Sequence, residues 1–149
     1  MPETTAIAPA TYPWTIVAPA GSQVIAVPGD AVGRGDVLAQ MRAMPSGSTV
    51  MLLDGRPGSR RRLRVLARAA AVEIEHEYVV LPTLRSAFVI VDDAPTTVAW
   101  LYGSVLTVPP GTTLLAGPVD LSIRALRRLS PWWLLGVIAP GRALMGRLA

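Results

Sequence analysis

The stretch Asp54 to Arg62, DGRPGSRRR, holds the densest set of chemically capable residues in this chain. It follows a short apolar run and opens an amphipathic helix. A carboxylate, several guanidiniums and the free N–H groups of a helix start therefore meet at one strand end. In open α/β sheets ligands bind at the carboxyl ends of the strands, and a helix N-terminus favours anions. Arg56, Arg60 and Arg61, with Asp54 and Ser59, make a candidate contact for a phosphate, a nucleotide-sugar or a lipid phosphate. The competing reading is a solvated basic face paired with Glu73, Glu75 and Glu77. Three arginines at the helix start oppose its dipole unless an anion or an acidic partner compensates them.

Other residues offer less. His76 is the only histidine and sits in a strand between two glutamates. Imidazole is the usual general base near neutral pH, but no serine or cysteine nucleophile motif accompanies it. Glu75, His76 and Glu77 alternate across the strand and do not converge on a metal, so no metal site is expected. Asp92 and Asp93 could pair for acid/base work; placed before Ala94-Pro95, Asp93 instead fits a helix cap. There is no cysteine, which excludes disulfides, thiolate metal sites and cysteine nucleophiles. Near the C-terminus Arg124, Arg127 and Arg128 oppose Leu121, Ile123 and Leu126 on one helix, with Trp132 and Trp133 beside them. These are the ingredients of an interfacial helix drawn to anionic lipid. The alternatives are a core helix, or an uncharged surface over Ala94 to Val119 that meets a protein partner or a second copy.

The elements that position these residues follow from hydrophobic spacing. Gln23 to Val27 reads as a buried strand. Arg34 to Met44 reads as a short helix with Val37, Leu38, Met41 and Met44 on one side and Asp36 as its cap. Thr49 to Leu53 is apolar and rich in β-branched residues, the pattern of a strand buried on both faces. After the Gly/Pro loop, Ser59 caps a helix whose stripe is Leu63, Leu66 and Ala70, widened by Val65 and Ala69. Glu73 to Leu81 returns to strand, with Ile74, His76, Tyr78 and Val80 on one side. Ser86 to Val91 pairs with it as a hairpin. A helix over Thr96 to Leu106, a second over Asp120 to Leu129, and a short alternating strand over Arg142 to Leu148 complete the order.

The chain has 149 residues, the size of one domain. It is expected to form a single α/β domain over residues 1–149, with an extended arm over 1–20 and a helical insertion over 94–139. That arm gains order by packing Tyr12 and Trp14 on the body. Mean hydropathy is +0.43. All 14 basic residues are arginine and the net charge is +4. That charge is modest and the aromatics lie away from the arginine cluster, so nucleic-acid binding is not expected. The uncharged stretch Ala94 to Val119 is broken by Pro109, Pro110, Gly111 and Pro118 into pieces shorter than the about 20 residues a spanning helix needs. The N-terminus has neither a basic region nor an unbroken apolar run and makes a poor signal peptide.

The order strand, short helix, turn, strand, helix, late strands resembles the second half of a class I S-adenosylmethionine-dependent methyltransferase. Met44-Pro45-Ser46-Gly47-Ser48-Thr49-Val50 is similar to that family's P-G-G/S-G-x-V turn. Arg61 to Tyr78, RRLRVLARAAAVEIEHEY, resembles its helix leading to the late strands, and YVVLPTLRSAFVIVDD resembles its late-strand hairpin. The resemblance spans Val24 to Asp93, with Arg142 to Leu148 as a looser match. It implies a small three-layer Rossmann-like sheet of about five strands with a C-terminal helical insertion. The family's Gly-rich turn and strand-end acidic residue, which hold its cofactor, have no counterpart here. The expectation is a methyltransferase-like accessory or binding domain that does not turn over alone, with no cofactor, in the cytoplasm or on the inner face of the membrane. Assembly of glycans or lipids at a bacterial envelope is the setting considered. One alternative is a transferase acting on a phosphorylated substrate, with S-adenosylmethionine as its cofactor if it is a methyltransferase. The other is a peripheral membrane protein.

Overall fold

The computed structural model describes residues 14, 17–82, 84, 87–104, 121, 122, 124, 125, 128, 129 and 141–149. Five strands form one mixed sheet: β1 (Gln23–Ala26), β2 (Thr49–Asp54), β3 (Val72–Pro82), β4 (Ala87–Asp92) and β5 (Gly141–Leu148). Three helices are described in full among them: α1 (Ala31–Arg42), α2 (Ser59–Ala69) and α3 (Pro95–Ser104). The strand order is β1-β2-β5-β3-β4. β1 runs parallel to β2, and β5 lies antiparallel between β2 and β3. The last strand in sequence is thus the central one. It is buried at every position but Arg147. Its expected alternation is absent because both of its faces are covered.

Cross-strand partners share a face of the sheet. Leu52, Leu144 and Glu77 are in register, as are Asp54, Arg142, Val79 and Val91. Val37 and Met41 of α1 and Leu63 and Leu66 of α2 pack on this face against Val50, Leu52 and Leu144. Val98, Leu101 and Tyr102 of α3 pack on its other end against Val79 and Val91. The opposite face, with Met51, Leu53, Val80, Ala143 and Met145, is covered by Trp14, Val17, Ala18 and Leu84. Trp14 and Val17 are helical, and the Ala18 N–H donates to the Trp14 carbonyl at 2.7 Å. Burying side chains such as Leu52, Leu144 and Met51 fully contributes about 2–3 kcal/mol each.

Several local expectations are corrected. β1 is an edge strand and only partly buried. α1 starts earlier than the apolar spacing indicates, because Asp30 is its cap and accepts from the Gly33 N–H at 2.7 Å; Asp36 is not. Gly58, in the left-handed region at φ 74°, caps α2 with no side-chain bond, and Ser59 is a buried first residue. Val65 is exposed and Ala69 also faces outward, so the buried stripe is the expected Leu63, Leu66 and Ala70 joined by Ala67. In β3 a bulge at Glu75 lets Ile74 pair with Gly146 and His76 with Met145. That extra residue moves Ile74 to the Glu77 side, leaving His76, Tyr78 and Val80 together.

Of the insertion expected over 94–139, α3 lies within it. Leu121, Ser122, Arg124, Ala125, Arg128 and Leu129 are helical and exposed. Tyr12, Arg127, Trp132 and Trp133 lie outside the described residues. No helix among the described residues is long and apolar enough to cross a membrane.

Candidate functional site

β2 brings Asp54 to its carboxyl end, and the loop Gly55 to Gly58 turns the chain back into α2. Asp54 is buried, with its side chain pointing to the helix-covered face. Its carboxylate accepts from the Arg56 backbone N–H at 3.0 Å, Arg56 Nε at 2.9 Å, Arg56 Nη2 at 3.0 Å and Arg62 Nε at 2.9 Å. Arg56 Nη2 also donates to the Pro28 carbonyl at 2.9 Å, tying the end of β1 to the loop. Arg62 donates to the carbonyls of Pro57 at 2.7 Å and Arg56 at 3.1 Å. Burial raises the Asp54 carboxyl, but the hydrogen bonds from Arg56 and Arg62 outweigh it and hold the group below its ordinary value. An ionised carboxylate with its lone pairs occupied is a poor proton acceptor. Arg56 gives Nε and Nη2 to Asp54 and the end of β1, Arg62 gives Nε, Nη1 and Nη2 to Asp54 and the loop carbonyls, and what they build is a brace.

Arg60 points elsewhere. Its Nε lies 3.4 Å from Asp93 Oδ2 and 3.6 Å from Glu77 Oε2. Arg142 Nη1 lies 2.6 Å from the same Asp93 oxygen, and Arg64 Nη2 donates to Glu77 Oε2 at 2.7 Å. This network fills the space between α2, β3, β5 and the start of α3. In it the Asp93 side chain lies against Arg60 and Arg142, and its backbone N–H donates to the Glu77 carbonyl at 2.7 Å. Arg61 is exposed on α2. The five residues of the expected anion site therefore divide into a brace at Asp54 and Arg56, a buried Ser59, an ion-pair network at Arg60, and an outward Arg61. The paired basic face holds for Glu77, and Glu75 lies 3.3 Å from Arg147.

His76 is half exposed, with Nδ1 3.7 Å from Asp92 Oδ1 and its ring stacked on Tyr78 at 5.8 Å between centroids. His76 and Asp92 line a groove of about 660 Å³ along the part of β3 that pairs with β5 but not with β4, whose walls include Arg64, Arg68, Ile74 and Glu77. Two more grooves, of about 780 and 640 Å³, flank α2. None of the three has Asp54 or Arg56 in its wall. Among the described residues no group of three or more His, Cys, Asp or Glu could hold a metal ion.

Arg62, Arg64 and Arg142 are the residues of the brace and the network that the sequence does not single out. Arg62 is one of three consecutive arginines and has no distinguishing neighbour. Arg142 acquires its partner only because β5 inserts beside β3. No protein-family model matches the chain, and no curated protein or solved structure is found to be similar to it.

Proposed function

We propose that this chain is a methyltransferase-like scaffold serving as an accessory or binding domain that does not turn over alone. The reading takes the sheet as the centre of a three-layer Rossmann-like arrangement, with α1 to α3 as one outer layer and the Trp14 and Val17 side as the other. The order of elements supports it: β1, α1, the Pro45 to Gly47 turn, β2, α2, β3 and the β4 hairpin follow one another as the family resemblance implies. The observation that carries it is the closed brace around Asp54. A phosphorylated substrate at that strand end would compete for guanidiniums that Arg56 and Arg62 already turn toward Asp54, Pro28 and Pro57. A transferase would need Asp54, Arg56 and Arg60 to face one concave site, whereas Arg60 faces Asp93.

Calorimetric titration of the purified chain with S-adenosylmethionine, S-adenosylhomocysteine and a nucleotide-sugar tests this. The expected result is no binding of any of the three. Micromolar binding of either sulfur ligand would contradict the reading and restore the methyltransferase.

One observation favours a second reading, a peripheral membrane protein. Leu121 and Leu129 are 70% and 75% exposed on a helical stretch that also carries Arg124 and Arg128. Apolar and basic groups exposed close together in sequence on helical residues suit the lipid interface. Co-sedimentation with vesicles of anionic and of zwitterionic lipid tests it: binding only to the anionic vesicles, lost in Leu121→Asp/Leu129→Asp, is the result it requires. Both readings carry a cytoplasmic location, on the inner membrane face in the second.

A further inference from the structure

α2 presents to the outside a ridge that its own core does not use. Arg61, Val65 and Ala69 recur every fourth residue along it, and all three are exposed. Val65 is 61% exposed in the middle of an otherwise basic face. Rows of this spacing are the ridges that interlock with the grooves of a neighbouring helix. Here the ridge has a groove on each side. The one between α1 and α2 has Leu38, Val65, Leu66 and Ala69 as its apolar wall, with Arg34, Arg61 and Arg62 around it. The other adds Arg64 and Arg68. Among the described residues no acidic side chain lines either groove. No ion pair reaches Arg61 or Arg68 among the described residues. Of the arginines in the first turn of α2, Arg60 and Arg62 lie against Asp93 and Asp54, and Arg61 is left to stand against the helix dipole, a mismatch that an acidic group laid beside it would relieve.

From this we infer that the ridge and the α1–α2 groove seat an acidic amphipathic helix of another protein. This rests on the accessory reading and names the kind of partner it requires. The occupant's apolar stripe covers Val65, Ala69 and Leu38, and carboxylates on its flanks reach Arg34, Arg61 and Arg68. Helix-in-groove recognition of this type uses anchors at i, i+3, i+4 and i+7, and α1 and α2, at 12 and 11 residues, are long enough to face about three turns of it. Charge chooses this occupant over a second copy docked through its exposed Leu121 and Leu129, which would bring Arg124 and Arg128 toward Arg61. Concavity chooses it over a lipid surface, which would meet a ridge between two hollows.

The test uses the full chain and a displayed library of helical peptides randomised along one face. Selection on the native chain is compared with selection on Arg61→Glu/Val65→Glu, whose substituted residues are exposed; equal melting temperatures establish that the variant folds. The inference requires enriched peptides to carry Asp or Glu beside an apolar stripe, to bind the native chain in solution, and to lose at least tenfold in affinity against the variant. Replacing their acids with arginine should shift preference toward the variant. Several results would overturn it: no enrichment, enrichment without acids, affinity indifferent to the variant, a dimer of the native chain that the variant abolishes, or adsorption to anionic vesicles through Val65 in place of peptide binding. S-adenosylmethionine binding in the separate titration would remove the accessory reading while leaving the peptide result to stand by its own outcome.

Discussion

Asp54 and Arg142 show how differently two buried charges can be signalled. Asp54 is announced by its place, an acid closing an apolar β-branched run before Gly-Arg-Pro-Gly, although its partner Arg62 is not. The Asp54 carboxyl is held below its ordinary value in the folded chain, so the unfolded chain takes up the proton more readily. The stabilisation it gives is complete above about pH 4, its unfolded range, and is lost as pH falls through the folded value. Asp54→Asn should therefore flatten the fall in stability below that pH, measured by urea unfolding across pH 2–6. At neutral pH it should cost about 2–3 kcal/mol, below the range for a fully buried pair because both guanidiniums are about a third exposed. Unchanged acid sensitivity would show that the brace is not coupled to folding. Arg142 and Asp93 are both almost wholly buried. Arg142→Met should cost about 3–5 kcal/mol by leaving the carboxylate short of a partner. Asp93→Asn in the same chain should recover part of that loss, and chemical unfolding of the single and double variants measures both.

At the scale of elements, spacing located the five described strands to within a few residues, because each has a Gly, Pro or Asp at one end or the other and aliphatic side chains within it. Where β5 goes was not legible. GRALMGRL reads as a modest closing strand, and only tertiary pairing makes it the buried centre of the sheet. Gly146 is the residue that fits it there, since an added Cβ would run into the Glu73 carbonyl and Val72 beside the β3 bulge. Gly146→Ala should cost about 1–3 kcal/mol or more, as overpacking against backbone does, and should speed hydrogen exchange along β3 and β5. A neutral substitution would mean the bulge yields. The stripe of α2 misled for a related reason. Val65 has the hydrophobicity of a core residue, but α2 lies flat on the sheet and buries only the face carrying Leu63, Leu66 and Ala67.

For the molecule as a whole, the class of fold was readable from β-α-β spacing, but the mixed order β1-β2-β5-β3-β4 was not, because it depends on a strand more than fifty residues after its neighbours. The candidate site was legible only as a location. The arginines that sequence treats alike are divided by the fold into a brace, an ion-pair network and an outward ridge, and that division carries the central claim: the ligand edge of this sheet is closed by its own side chains. Backbone amide spectra of the labelled chain, recorded while S-adenosylmethionine is added, test it most directly. The account predicts no movement of the signals of residues 27–30 and 54–58. Saturable shifts clustered on those residues would contradict it and identify a working cofactor site.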